Sequence, residues 1–170
     1  MLMRSDMQVA VTAEHAPERT FANPPSLFAD RVHGRRRQAL EHLMALTDFE
    51  VSLTALACGA QTSVRHRHAV EDEFVHGLSD VVVRVRDDGE ILRRSGGRCG
   101  HGGASHHLVN RLKASAAYID VGDRTPGDKA DHTDDDLCAV AMPTGWRFTH
   151  KNRDPDVCRS EPPQTPRGVG

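Results

Sequence analysis

The sequence predicts an all-β fold, a double-sheet jelly roll with little helix. Roughly seven to nine short segments alternate apolar and polar residues, which is the pattern of half-buried strands. Turn signals rich in Gly, Asp and Asn separate these segments, and few stretches place apolar residues at helical spacing. Because the jelly roll is a two-sheet arrangement that commonly encloses a ligand cavity, we expect a pocket between the sheets.

The length of 170 residues fits one domain with short extensions. We expect a loose N-terminal arm over residues 1–22, a single β-barrel domain over residues 23–154 and a disordered, Pro-rich tail over residues 155–170. Aromatic residues are scarce, with one Trp, one Tyr and five Phe. The core must therefore consist mainly of Val, Leu, Ile and Ala.

Charge and cysteine pattern narrow the class of protein. The formal net charge is -2, so we expect no nucleic-acid partner. The first residues lack a signal-peptide pattern, and no apolar run reaches the roughly 20 residues that cross a bilayer, so we expect a cytoplasmic protein with no membrane partner. The cysteines are scattered without a Cys-x-x-Cys pair, which favours free thiols.

Alternation locates the predicted strands along the chain. Residues 49–55 place Phe49, Val51 and Leu53 on one face and polar residues on the other, which predicts a half-buried strand. The segment Asp87-Asp88-Gly89-Glu90 lies between apolar runs and predicts a hairpin. Residues 38–46 fit either a short helix or an extended segment. Further strands are expected at 74–78, 81–86, 106–111, 116–121 and 146–150.

Three segments are charged or rich in glycine. The basic run at 33–37 could contact nucleic acid or phosphate, but no aromatic residues interleave it, so we interpret it as a solvated turn or strand edge. The glycine-rich segment 95–103 lacks the Gly-Lys-Ser/Thr ending of a phosphate-binding loop and predicts a turn. The acidic segment 131–136 lacks the spacing of a calcium-binding loop and predicts a solvated loop.

Two histidines, His66 and His68, are the strongest candidates for chemistry. They are separated by one residue and would share a face of a strand, because side chains repeat every second residue. The carboxylates of Glu71, Asp72 and Glu73 follow closely enough for the chain to bring one of them back to the imidazoles. Imidazole and carboxylate ligands suit a divalent transition metal such as Fe, Mn, Zn or Ni. Two solvated strand histidines are the alternative interpretation.

Two segments of the chain each combine glycine with histidine. Residues 59–73 contain a glycine, His-x-His, a short spacer and Glu. Residues 97–110 contain a glycine-rich turn, then His106 and, four residues on, Asn110. Together the two segments resemble the two sequence motifs of the cupin superfamily, in particular those of small, single-domain bacterial cupins. The resemblance implies a double-stranded β-helix, the cupin jelly-roll barrel, over about residues 24 to 154. It also implies four metal ligands, which are His66, His68, Glu73 and His106.

Neighbours of these four residues are expected to have other roles. Glu71 and Asp72 would form a turn pair in water, His107 would face away from the metal, and Asn110 would be a structural strand residue. The sequence also departs from the cupin pattern without removing a ligand. These departures are Cys58, Arg67, Gly77, Asp80 and the segment His101-Gly102-Gly103.

The resemblance implies a metal-binding cupin with a small-molecule pocket, and its function is open. One hypothesis is a metal-dependent enzyme of dioxygenase or isomerase type acting on a small polar substrate. His76 and His101 are candidate general bases, although a surface or strand role suits both better. The alternative is a non-catalytic cupin that binds a small ligand, or a degenerate scaffold. A homodimer is expected, because jelly-roll cupins often pair through their sheets.

Overall fold

The computed structural model describes residues 10, 12–19, 24–79, 82–93, 97–99, 103–142 and 145–152. Within these residues the chain is mainly β-strand. The helical part consists of two four-residue α-helices, α1 (Ser26–Ala29) and α2 (Leu40–Leu43), and two single 3-10 turns, Ala13–His15 and Asp30–Val32. The predicted all-β fold with little helix is confirmed.

The larger part of the barrel is a six-stranded antiparallel sheet, which we call the main sheet. Its strands are β1 (Glu18–Arg19), β2 (Arg35–Ala39), β3 (Phe49–Leu56), β5 (Glu73–Ser79), β8 (Gly97–Cys99) and β10 (Ala116–Asp123). Their spatial order is β1-β2-β3-β10-β5-β8. Strand β10 therefore lies near the centre, paired with β3 on one side and with β5 on the other.

Two smaller antiparallel sheets face the main sheet. One contains β4 (Arg67–His68), β11 (Lys129–His132), β12 (Leu137–Met142) and β13 (Gly145–Thr149), in the order β13-β12-β11-β4. The other contains β6 (Val82–Arg86), β7 (Gly89–Arg93) and β9 (His106–Val109), in the order β7-β6-β9. Strands β6 and β7 form the hairpin that the sequence predicts at residues 87–90.

The segment between residues 61 and 66 joins the two smaller sheets into one layer. The backbone N–H of Thr62 donates to the carbonyl of Leu108 at 2.9 Å. His66 and His106 exchange two backbone hydrogen bonds, of 3.1 and 2.8 Å. This chain segment continues from β4 along β9, so the molecule has the two facing layers of a jelly roll.

Two apolar clusters fill the space between the layers. The larger cluster joins main-sheet residues to residues of β6 and β9, and the smaller one lies between α1 and β12. The first consists of Leu56, Ala60, Val82, Leu108, Ala116 and Tyr118, and the second of Phe28, Val64 and Leu137. The cores are small and mostly aliphatic, as the composition predicts.

The inner face of the main sheet is more polar than the sequence pattern suggests. On β3 the side chains of Ser52, Thr54 and Leu56 are buried, whereas Phe49 is 51% exposed. The strand and its alternation are confirmed, but the apolar face that the pattern would bury points outward. The polar side chains of β3 can point inward because the barrel interior contains a polar pocket as well as an apolar core.

Some predictions fall on residues that the structure does not describe. These are the tail over 155–170 and the positions of Asp80 and His101. Of the predicted arm, residues 10 and 12–19 are described, and β1 within it pairs with β2. The division into arm, barrel domain and tail stays a prediction. No helix among the described residues is long and apolar enough to cross a membrane.

Candidate metal centre and its pocket

Strand pairing brings His66 and His106 side by side. The two residues exchange both of their backbone hydrogen bonds, which is the closely bonded pair of an antiparallel ladder and places both side chains on the same face. Their ring centroids are 5.5 Å apart. Two histidines 40 positions apart in the sequence thus face the barrel interior together.

Two further side chains, those of His68 and Glu73, join this histidine pair. His68 follows His66 by two residues and lies on the same face, with the two Nε2 atoms 3.0 Å apart. Glu73 begins β5 on the main sheet, where its Oε2 is 2.8 Å from His106 Nε2 and its Oε1 is 3.7 Å from His68 Nε2. The structure brings all four residues of the sequence prediction together; their role as metal ligands stays a prediction.

Hydrogen bonds behind the imidazoles favour the tautomer that a metal requires. The Nδ1 atom of His66 lies 2.9 Å from the carbonyl of Val64, and that of His68 lies 2.6 Å from Asp128 Oδ2. Because these oxygens only accept, each Nδ1 donates and leaves a lone pair on Nε2. Two lone pairs 3.0 Å apart repel each other, and a cation between them would remove that repulsion.

The local electrostatics keep two of these groups in their ligand form at neutral pH. Burial lowers the pKa of the His66 imidazole to about 3, so the ring is neutral. Burial alone would raise the pKa of Glu73, but the hydrogen bond with His106 and the neighbouring imidazoles lower it to about 2. A neutral imidazole and an ionised carboxylate are the forms that bind a metal.

The donor set therefore fits a divalent transition metal. One atom from each of His66, His68 and Glu73 lies within 4.8 Å of the others, and His106 is adjacent through Glu73. Three imidazoles and one carboxylate leave positions open on a five- or six-coordinate ion for water or substrate. A second group of donors, His68, Glu71 and Asp128, meets the same distance limit on the other side of the His68 ring.

Asp128 belongs to the site although no pattern in the sequence points to it. It belongs to a turn rich in Gly and Asp, yet its side chain is fully buried behind His68. Its second oxygen accepts the backbone N–H of Val70 at 2.8 Å. Burial raises the pKa of Asp128, but the hydrogen bonds from His68 and Val70 outweigh it and hold the pKa below its usual value. Asp128 is thus a carboxylate that fixes the ring of a candidate ligand.

The four residues open into a pocket of about 210 Å³ between the layers. One end, the histidine end, is formed by His66, His68, Glu73 and His106. The pocket also reaches the inner faces of β2, β3 and β10. Trp146 of β13 lines it as well, with its ring centroid 5.9 Å from that of His68. A small polar molecule entering this pocket would meet the candidate metal centre directly.

A solved structure with the same architecture decides the family. The crystal structure of a sugar phosphate isomerase of the cupin superfamily from Silicibacter pomeroyi matches with a TM-score of 0.82 and 30% sequence identity. The match covers 86% of this chain and 95% of that chain. The chain belongs to the cupin superfamily. The predicted family and fold class are both confirmed.

Two more distant matches support the fold alone. A protein from Acidithiobacillus ferrooxidans matches with a TM-score of 0.65 and 18% identity over 74% of this chain and 81% of that chain. The polyketide cyclase from Streptomyces resistomycificus matches with a TM-score of 0.55 and 15% identity over 69% and 80%. Comparisons with protein-family models and with curated proteins found no match.

The far end of this cupin's pocket, which we call the arginine end, was not predicted. Arg35 and Arg37 lie on β2 and line the pocket, although the sequence pattern favours a solvated turn or strand edge for residues 33–37. That interpretation is wrong for these two residues. Arg36 between them points outward and pairs with Glu18. The alternation of side chains along a strand would distinguish the two inward arginines from the outward one, but only once it is known which face of β2 lines the barrel interior.

The register of β3 and β10 completes the arginine end. Arg37 pairs with Thr54 across the β2–β3 ladder, and Thr54 pairs with Tyr118 on β10. Asp120, two residues further along β10, accepts a hydrogen bond from Thr54 at 3.1 Å. Burial raises the pKa of Asp120 to about 6 against the opposing effect of Arg37, and burial also raises the pKa of Tyr118.

Residues around the predicted ligands have mixed outcomes. Glu71 is half-buried and lines the pocket, so the expectation of a turn pair in water is wrong for it; burial and the carboxylate of Asp128 raise its pKa to about 8. His132, placed by the sequence in a solvated acidic loop, is instead buried at the end of β11, with its ring centroid 5.4 Å from that of His66. Asn110 lies just after the end of β9 rather than on a strand, but it has the expected structural role, since its Nδ2 donates to the carbonyls of Leu56, Ala57 and Ala114.

The candidate general base His76 does not line the pocket. It is exposed on the outer face of β5, where its ring stacks on Phe74 with centroids 6.4 Å apart. His107, as expected, points away from the pocket that His106 lines. The surface interpretation of His76 is therefore confirmed.

Proposed function

We propose that this cupin is a metal-dependent isomerase that acts on a phosphorylated sugar in the barrel pocket. The observation that supports this most directly is the convergence of three imidazoles and one carboxylate at one end of an enclosed polar pocket. The isomerase type is favoured over the dioxygenase type because the relative that is 30% identical over nearly its whole length is described as a sugar phosphate isomerase.

In this proposal His66, His68, Glu73 and His106 hold the metal. Asp128 fixes the orientation of the His68 ring through its hydrogen bond to Nδ1. When bound, a divalent ion would polarise the carbonyl or hydroxyl oxygen of the substrate as a Lewis acid. The metal could be Fe, Mn, Zn or Ni, since all of these accept imidazole and carboxylate ligands.

We assign the movement of a proton to Asp120. Converting an aldose to a ketose moves one proton between neighbouring carbons and one between their oxygens, so no external oxidant is consumed. Asp120 lies between the arginine end and the candidate metal centre. Its Oδ2 is 3.9 Å from Arg37 Nη2, and Gly122, two residues along β10 on the same face, pairs with Glu73. A carboxyl group with a pKa of about 6 can both take up and release a proton near neutral pH.

The experiment is a turnover assay on protein purified without a chelator or a nickel column. Metal-stripped protein is reloaded separately with Fe²⁺, Mn²⁺, Zn²⁺ or Ni²⁺ and incubated with aldose phosphates of three to six carbons. Ketose phosphate formation that needs the metal and disappears in His106→Ala is the expected result. Dioxygen uptake without isomerisation would instead indicate the dioxygenase type. Binding of the sugar phosphate without turnover would indicate a ligand-binding cupin. The absence of both binding and turnover would indicate a degenerate scaffold.

We also propose a homodimer formed through the outer face of the main sheet. This face carries apolar side chains from three neighbouring strands, among them Phe49, Val51, Leu53, Phe74, Leu78, Ile119 and Val121. Three of them, Phe49, Phe74 and Leu78, are about half exposed, and such contiguous apolar surface is typical of interaction sites. Sedimentation of the full chain tests this association.

A further inference from the structure

We propose that Arg35 binds the phosphate group of the substrate and so makes the arginine end of the pocket an anion subsite. The inference rests on the proposed function in one respect only, namely that the substrate is a phosphorylated sugar. It assigns recognition of the phosphate to a residue that no metal ligand touches, so the two proposals can fail separately.

The placement of Arg35 follows from the period of β2. Arg35 and Arg37 point into the pocket, and Arg36 points to solvent, where its side chain is 58% exposed and its Nη1 lies 3.7 Å from Glu18 Oε2. Three consecutive arginines therefore divide into two inside the barrel and one outside. A guanidinium group inside a barrel is costly unless another group compensates its charge.

The two inward arginines differ in how their charge is compensated. Arg37 forms an ion pair with Glu50, and its Nη2 lies 3.9 Å from Asp120 Oδ2. Arg35 has no carboxylate within 4.0 Å among the residues that the structure describes. Its hydrogen bond is to a neutral acceptor, the carbonyl of Thr62. Burial lowers the pKa of Arg35, which reflects this incomplete compensation.

An anion from outside the chain would supply the missing charge. The guanidinium group presents several N–H donors in one plane, and the bond to Thr62 uses only Nη1. Phosphate oxygens match this planar fork and form charge-assisted hydrogen bonds with it. The carboxyl group of Asp120 is close enough to both arginines to influence them, and because its pKa is raised it can take up a proton when the anion enters.

One small molecule can reach both ends of the pocket. The carbonyl that holds Arg35 belongs to Thr62, whose backbone N–H donates to Leu108, and Leu108 is two residues from His106 on the same face of β9. At about 3.3 Å per residue, the Arg35 contact lies roughly 7 Å along the strand from His106. A phosphorylated sugar can thus place its phosphate at Arg35 and its carbonyl end at the histidine end.

The test measures binding of inorganic phosphate to metal-stripped protein by calorimetry and by the shift of the thermal midpoint. The variants are Arg35→Gln, Arg35→Lys and, as a matched control from the same strand, Arg36→Gln. We expect wild type and Arg36→Gln to bind equally, Arg35→Lys to bind more weakly, and Arg35→Gln to lose roughly tenfold or more, because charge-assisted hydrogen bonds are lost. Equal binding by wild type and Arg35→Gln, or no binding by wild type at millimolar phosphate, would overturn the proposal.

A second arm uses metal-loaded protein and three ligands that differ only at one carbon: glucose 6-phosphate, glucuronate and glucose. The expected preference is phosphate over carboxylate over hydroxyl in wild type and Arg36→Gln, and a preference reduced at least about tenfold in Arg35→Gln. Carboxylate preferred over phosphate would contradict the phosphate assignment. A purely structural role for Arg35 would lower binding of all three ligands alike, and this outcome also overturns the proposal.

The proposed function is judged by a different result. Phosphate binding that depends on Arg35, together with no isomerase turnover, would keep the anion subsite and remove the isomerase. Isomerase turnover that is unchanged in Arg35→Gln would keep the isomerase and remove the subsite. Metal content should be the same in wild type and Arg35→Gln, since Arg35 touches none of the candidate ligands.

Discussion

The histidine end and the arginine end of the pocket are assembled in different ways. At the histidine end, His66, His68 and Glu73 come from a single stretch of eight residues, and one backbone-bonded pair adds His106. At the arginine end, the groups come from β2, β3 and β10, and the register of two ladders decides which of them meet. The comparison teaches that a local motif can identify a candidate metal centre, whereas the composition of the rest of the pocket depends on how strands pair.

The two ends also differ in their charge. The histidine end collects lone pairs and one carboxylate, so it favours a cation. The arginine end contains two guanidinium groups. The charge of Arg37 is neutralised by an ion pair, whereas Arg35 donates its hydrogen bond to a neutral carbonyl, so this end favours an anion. A substrate that carries a polar carbonyl at one end and a phosphate at the other is complementary to both.

The largest expected effect comes from removing a ligand at the histidine end. His106→Ala should abolish metal binding, a loss of more than about a hundredfold in affinity, because one of four donors is removed and Glu73 loses its neighbour. Elemental analysis of the purified protein measures this. The matched control is His107→Ala, the next residue of β9, which should retain the metal. Full occupancy in His106→Ala would remove that residue from the ligand set.

A smaller effect is expected one contact behind the ligands. Asp128→Asn keeps the shape of the side chain but weakens the hydrogen bond that orients His68. We expect a loss of about 10- to 100-fold in metal affinity, which is usual for a partner of a ligating histidine. Competition with a chelator of known affinity gives the value. Asp131→Asn, on β11 three residues after Asp128 and paired with Arg67, should behave as wild type; equal affinity in both variants would leave Asp128 without this role.

At the arginine end the expected effect is a change in the pH dependence of stability. Asp120 has a pKa of about 6 in the folded chain and an ordinary value of 3.8, so the folded state binds the proton more tightly. Asp120 therefore adds to the free energy of unfolding, and its full contribution is present below about pH 4. As the pH rises to about 6 this contribution, roughly 1 to 3 kcal/mol, is lost.

Asp120→Asn removes the titration and should flatten this fall in stability. Denaturant unfolding of metal-stripped protein between pH 4 and pH 7 measures it, with Asp123→Asn as the control on the same strand. The groups that face Asp120 from other strands are Arg35 and Arg37 of β2, Thr54 of β3 and Glu73 of β5. If wild type and Asp120→Asn lost the same stability over this interval, the raised pKa would have to belong to another group.

The smallest effect on the pocket is expected from the outer face of the main sheet. Ile119→Lys changes a side chain that points away from both ends, since its neighbours Tyr118 and Asp120 point inward. We expect the homodimer to dissociate in sedimentation experiments while metal content and phosphate binding stay at wild-type values. A monomeric wild type would remove the proposed interface without touching either end of the pocket.

The sequence was sufficient to predict the family, the jelly roll and the four residues that converge at the histidine end, whose role as metal ligands stays a prediction. It succeeded there because His-x-His and the nearby Glu lie on one short segment, and because strand period and cupin resemblance both point to the same residues. The second motif supplied His106 by resemblance, which pattern alone could not have done. Its position beside His66 is set by a backbone pair between distant segments.

The rest of the site depends on long-range packing. Asp128 and His132 lie in sequence segments that look solvated, and only the strands around them make them buried. The face of β3 was assigned in the wrong sense because Ser52 and Thr54 are polar and yet line the interior. Arg35 and Arg36 cannot be distinguished in the sequence until the inner side of β2 is known.

The most direct test of the central claim is to locate a bound ion by anomalous scattering in crystals grown with Mn²⁺. The account predicts one strong peak bounded by the Nε2 atoms of His66, His68 and His106 and by the carboxylate of Glu73. A peak on the opposite side of the His68 ring, between Glu71 and Asp128, would contradict it, because those residues form the second group of suitable donors. The absence of a peak at the predicted position in crystals of the metal-loaded protein would contradict it equally.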